Sequence, residues 1–179
     1  DCIVLEYVSI HDYGAASPAL AGILTLGFVA GLGLVFALTA ALWARWLRRS
    51  EAPLADALAF AALWVLQEVF RGWFLTGFPW LYAGYSQLDG PLNGLVPVGG
   101  VWLASFLIAL SAALIVNLER LRPHKPRYIA ALALLIAPWV AGLSLQGHSW
   151  TYPSGNSLSV AAVQGNVEQN MKWDPAQLN

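Results

Sequence analysis

The sequence predicts a mainly α, polytopic membrane helix bundle of four spans, followed by the first strand of a soluble domain. Three observations carry this. The chain is 58% hydrophobic and only 11% charged, where an average soluble domain carries about a quarter charged residues. Four apolar stretches reach or approach the roughly 20 residues that a helix needs to cross a bilayer. After Leu145 the composition turns abruptly to Gly, Ser, Pro and Asn.

Composition also narrows the function class. A net charge of −1 gives no basic face for a nucleic acid. The mean hydropathy of +0.60 leaves too little polar surface for a water-soluble fold of this length. Nine Trp residues, most near the ends of apolar runs, suit the headgroup level of a membrane. The single cysteine, Cys2, excludes an internal disulfide framework and any multi-cysteine metal site, and is a poor candidate nucleophile. No cofactor-binding motif and no zinc-ligand spacing is present. Asp1 opens the chain, Glu6 interrupts the first apolar stretch and no basic segment precedes it, so no cleavable signal is legible and the start reads as a cut edge.

The elements follow in order. Cys2–Ile10 is too short to span and reads as the tail of an earlier helix. His11, Asp12 and Tyr13 read as a polar turn, because no Ser or Cys nucleophile accompanies the His–Asp pair. Leu20–Trp46 is the first span. Its Gly27 and Gly31 form a small-xxx-small pair, either a close-approach face or the ordinary glycine content of membrane helices. Leu54–Phe74 is the second span, with Asp56 near its inner end, where a carboxylate suits a helix N-terminus. Leu95–Leu118 is the third. Tyr128–Leu145 is the fourth and shortest, and Pro138 within it predicts a kink or a tilt.

Basic residues set the direction. Arg45, Arg48 and Arg49 follow the first span, and Arg120, Arg122, Lys125 and Arg127 follow the third. These two loops hold seven of the nine Lys and Arg residues and are expected inside. The loop between spans two and three, and everything after Leu145, are then outside. Gln146–Asn156 reads as a loop leaving the membrane and Ser157–Val163 as a strand. The predicted division is a membrane domain over 1–147 and the start of a second domain over 148–179. A lone strand buries no core, so that domain is expected to continue or to pair.

The most unusual stretch is the outer loop from Glu68 to Pro91, rich in aromatics and glycines with little charge. Glu68 and Arg71, spaced i, i+3, share a helix face, where an ion pair would lower the cost of placing charge near lipid. Two readings of this loop stay open. One is a lipid-headgroup site, with Arg71 facing phosphate and the aromatics against acyl chains. The other is a snorkelling arginine within an aromatic belt. His124 and His148 read as solvated loop residues.

The run Phe70-Arg-Gly-Trp-Phe-Leu-Thr-Gly-Phe-Pro-Trp-Leu-Tyr-Ala-Gly-Tyr-Ser-Gln-Leu-Asp-Gly-Pro91 closely resembles the corresponding loop of bacterial apolipoprotein N-acyltransferases. Val163-Gln-Gly-Asn and Met171-Lys-Trp-Asp174 resemble the opening of that family's periplasmic nitrilase-like domain, and Tyr7-Val-Ser-Ile10 with His11-Asp-Tyr-Gly14 also fit. Asp1–Glu6 departs from the pattern. The resemblance implies a bacterial inner-membrane, multi-pass protein whose C-terminal segment is periplasmic and begins an αββα nitrilase-like sandwich. It implies acyl transfer from a phospholipid, typically phosphatidylethanolamine, to an enzyme cysteine. The thioester is then attacked by the α-amine of a lipoprotein's diacylglyceryl cysteine. The Glu-Lys-Cys triad would lie beyond Asn179, so residues 1–179 alone would be inactive. Trp173, Trp80 and Arg71 match positions on the substrate side. No cofactor, metal or nucleic acid is implied, and a monomer is expected. The rival readings are a non-enzymatic membrane scaffold or subunit with a short docking tail, and a transporter, the latter weakened by the lack of mid-span charge.

Overall fold

A computed structural model of the chain describes residues 2–155 and 158–164. Among these, all regular structure is helical. Short helix α1 (Cys2–Val8) runs into a π-helical turn over Ser9–Tyr13. Then come α2 (Pro18–Leu42), ending in a π-helical turn over Trp43–Leu47, α3 (Pro53–Trp73), α4 (Val96–Leu121) and α5 (Lys125–Leu145). Pro18, Pro53, Pro97 and Pro126 stand at or next to helix starts, where a missing N–H costs nothing.

With their flanking turns, four helices are long and apolar enough to cross a membrane: Pro18–Leu47, Pro53–Thr76, Pro91–Leu121 and Lys125–Leu145. These match the four predicted spans to within a few residues. This is a membrane protein.

The chain divides into two compact units, one over Val35–Tyr152 and another that includes residues 2–34. Within the first, α3 and α4 form the centre, and α5 packs on α4 and on the 3-10 turn Pro91–Leu95. The core is built from Ala57, Ala61, Ala109, Leu110, Leu114, Leu121 and Ala131. Lipid tails are as apolar as leucine, so close packing holds these helices together, and alanines let the backbones approach. Ser111 Oγ accepts a 2.9 Å bond from Trp139 Nε1, tying α5 to α4. In the other unit His11 Nδ1 lies 2.8 Å from the Ala16 carbonyl, so the His–Asp segment is a polar turn.

One feature is added to the predicted spans, and the expected strand is not formed among the described residues. α5 is helical without interruption through Pro138, whereas the break in a span falls in α4 at Gly100 (φ 65°, ψ −165°), a conformation open to glycine alone. Leu158–Val163, expected as strand, carry no strand. Leu158, Val160 and Val163 are 88%, 83% and 94% exposed, and a strand without a partner has no ladder to form. A Cβ at Gly27 or Gly31 would meet open space.

Candidate functional site

The loop joining α3 to α4 is fixed by a buried polar cluster at the end of α3. Gln67, Glu68 and Arg71 are 5%, 0% and 3% exposed. Arg71 Nε donates to Gln67 Oε1 at 3.0 Å. Its Nη1 and Nη2 donate to the carbonyls of Trp80 (3.3 Å) and Leu81 (3.4 Å). The guanidinium lies over two rings, with its centre 5.1 Å from that of Phe36 and 5.5 Å from that of Tyr82. Glu68 Oε1 accepts from Trp64 Nε1 (3.0 Å) and from the Ala83 backbone N–H (2.8 Å).

The expected Glu68–Arg71 ion pair is absent. The one ion pair among the described residues is His11–Asp12, at 3.8 Å. Glu68 and Arg71 do share a buried face, but each turns to the backbone of residues 80–83. Polar backbone entering a membrane edge must be matched, and a carboxylate and a guanidinium are strong partners for it.

Further ties complete the fold of the loop. Gly84 N–H donates to Ser105 Oγ at 2.8 Å, Leu92 N–H to Gln87 Oε1 at 3.4 Å, and Gln146 Nε2 to the Gly90 carbonyl at 2.9 Å. Tyr82 is 6% exposed and stacks on Tyr85 with ring centres 5.6 Å apart. Burial pushes its phenol above the ordinary range. Arg71 opposes that shift, while Tyr85 and Glu68 add to it. Leu75, Thr76 and Leu81 hold positive φ of 48°, 76° and 66°, costly for residues with a Cβ.

The result is a surface of opposite character to its support. Trp80 is 69% exposed, Trp73 66% and Leu75 82%. Phe70, Trp73 and Phe74 form a ring cluster, with Phe70 and Phe74 stacked at 4.7 Å. Backbone anchored from beneath thus presents large apolar side chains outward. Trp80 and Arg71 come together through the Trp80 carbonyl, not through their side-chain tips. Trp173 lies outside the described residues. Gln67, Tyr82 and Ser105 take part without having been singled out by sequence reading. Gln67 lies four residues before Arg71, a helical spacing that carries the signal.

A polytopic membrane protein with an anchored aromatic loop at one end of its bundle and basic loops at the other is the class defined here. A family model for the apolipoprotein N-acyltransferase N-terminal domain matches residues 5–114, and the chain belongs to that family. It is 70% identical over 173 residues to an apolipoprotein N-acyltransferase of Azotobacter vinelandii, covering 97% of the chain and 34% of the relative. The apolipoprotein N-acyltransferase of Pseudomonas syringae pv. tomato is 68% identical over 173 residues, with the same coverage. That of Coxiella burnetii is 38% identical over 169 residues, 94% of the chain and 35% of the relative. The chain spans about a third of the length of the curated relatives it matches.

Proposed function

We propose that the protein N-acylates the N-terminal diacylglyceryl cysteine of apolipoproteins, taking the acyl group from a membrane phospholipid through a thioester on an enzyme cysteine. The observation that carries this reading is the anchored aromatic loop, in a chain whose relatives bear that enzymatic name. Thioester chemistry is apt, because the thiolate leaves readily when an amine attacks. A Glu serves as base, and a Lys stabilises the tetrahedral oxyanion. Both, with the nucleophilic Cys, belong to a periplasmic nitrilase-like domain beginning near residue 148, so residues 1–179 alone do not turn over. The protein sits in the bacterial inner membrane as a monomer, with phospholipid and apolipoprotein as its partners.

In this reading Trp80 and its exposed neighbours line the lipid's access to the active site. Arg71 serves the same site by holding the Trp80 and Leu81 carbonyls, and Trp173 stands at the mouth of the acyl-donor site. The test uses the complete protein in a lipid-to-thioester assay. Trp80→Ala should raise the phospholipid concentration needed for half-maximal rate. Trp173→Ala should slow acyl-enzyme formation or turnover while membrane insertion is unchanged. Wild-type kinetics in both variants would refute these roles.

A further inference from the structure

The inner end of the bundle holds a polar cavity that the outer loop does not account for. It encloses about 210 Å³ between the end of α2, the start of α3 and the end of α4. Its apolar wall includes Phe60, Ala113 and Val116. Against that wall stand three groups of different sense. Asn117 is 4% exposed. Its Nδ2 donates to the Ala113 carbonyl at 3.0 Å and faces Asp56 Oδ2 at 3.5 Å, leaving buried Oδ1 an acceptor without a donor. Trp43 Nε1 is a buried donor without an acceptor. The Asp56 carboxylate is engaged, accepting the Arg49 backbone N–H at 3.0 Å through Oδ1.

Arg48 and Arg120 also line the cavity, and both are exposed. Arg48 lies over the Trp43 ring at 5.7 Å. Neither arginine has a carboxylate within ion-pairing distance among the described residues. With the Asp56 carboxylate already hydrogen-bonded to the Arg49 N–H and Asn117 Nδ2, the cavity is lined by two arginines that outnumber that one anion, an N–H donor, an acceptor and a hydrocarbon wall.

A phosphodiester is a natural counter-ion for guanidinium groups at a membrane face. Its ester oxygens suit Trp43 Nε1, and an ammonium or hydroxyl on the headgroup suits Asn117 Oδ1. The acyl chains have a path along Ile115 and Val116, which are 58% and 78% exposed. We propose that this cavity binds the headgroup of a glycerophospholipid from the inner leaflet, as a site separate from the acyl donor's. Asp56 and Glu68 stand twelve residues apart on α3, or ~18 Å at 1.5 Å per residue, so one headgroup cannot occupy both ends.

The test is native mass spectrometry of the complete, delipidated protein titrated with phosphatidylglycerol, a binding readout independent of turnover. Arg48→Gln with Arg120→Gln should weaken the first lipid adduct about tenfold or more, the order expected for removing two phosphate-facing cations. Arg45→Gln with Arg122→Gln removes equal charge outside the cavity and should leave that adduct within about twofold of wild type, since exposed charges remote from the phosphate are screened. Val116→Trp, at an exposed position, should block the cavity without changing charge. The proposal is overturned if the adduct persists in the first pair, if both pairs weaken it equally, or if Val116→Trp leaves it intact. Displacement by low-millimolar inorganic phosphate would reassign the cavity to a free anion and overturn the lipid assignment.

Discussion

Arg71 illustrates how a residue can serve a surface without lying on it. Its donors reach Gln67 and the carbonyls of Trp80 and Leu81, so removing it strands acceptors beneath the loop. A hydrogen bond to a charged group is worth about 1.5–3 kcal/mol, and the two carbonyl contacts, at 3.3 and 3.4 Å, belong at the weak end. Arg71→Ala is expected to loosen residues 77–90 before any span unfolds, seen as faster hydrogen exchange confined to that loop in the complete protein. Arg71→Lys should resemble alanine, because one ammonium cannot reach three acceptors set for a planar fork. Unchanged loop protection in both variants would refute the bracing role. Tyr82 gives a pH signature. Its phenol is raised by burial above the ordinary value of about 10. The stability it contributes is present below pH ~10, where the unfolded chain's tyrosines begin to ionise, and is lost as pH rises through the higher folded value. Absorbance at 295 nm should record a late-titrating tyrosine that Tyr82→Phe removes. If every tyrosine titrates together in wild type, Tyr82 is not buried in this way.

At the scale of elements, glycines separate tight contacts from open faces. A Cβ on Gly94 would strike the Gly142 carbonyl, and one on Gly142 the Pro91 carbonyl, so the 91–95 turn and α5 meet backbone to backbone. A Cβ on Gly84 would strike the Val101 carbonyl of α4. Backbone cannot step aside as a flexible side chain does, and overpacking costs roughly 1–3 kcal/mol per site. Gly84→Ala, Gly94→Ala and Gly142→Ala should each lower thermal stability in detergent, whereas Gly27→Ala and Gly31→Ala, facing open space, should not. Equal losses across both groups would show that the packing is not as described. The small-xxx-small pattern at Gly27 and Gly31 was plain in sequence, while the consequential contacts at Gly84, Gly94 and Gly142 were not. Those three meet backbone distant in the chain or across a turn, which spacing cannot reveal. The break at Gly100 was hidden for a related reason. A proline advertises a possible kink through its missing N–H, but a glycine bends only where its surroundings ask for it.

For the whole molecule, the arrangement of charge makes the crossing direction testable. With Cys2 and every cysteine beyond residue 179, the proposed nucleophile included, replaced by serine as background, Asp89→Cys in the complete protein should react with a membrane-impermeant maleimide added outside intact spheroplasts. Glu51→Cys should react only after lysis. The reverse pattern would invert the topology and move the aromatic loop inside. In the predicted orientation the proposed lipid cavity of Arg48 and Arg120 and the loop of Trp80 would fall on different leaflets. The spans were legible because hydropathy is additive along a helix, and a run such as Leu20–Trp46 needs no partner to be apolar enough to cross. The outer loop stood out as unusual through its aromatics and glycines. Its wiring stayed hidden, because Glu68 to Ala83 and Ser105 to Gly84 join residues far apart in the chain. The sequence by itself therefore determined a membrane protein, its four candidate spans and its family resemblance, all properties of local composition and order. Only the tertiary structure decided that Glu68 and Arg71 make their hydrogen bonds to the loop backbone rather than to each other, and that Trp80 stands outward on their support. Which partner satisfies a buried charge depends on what folding brings within about 3 Å, the reach of a hydrogen bond.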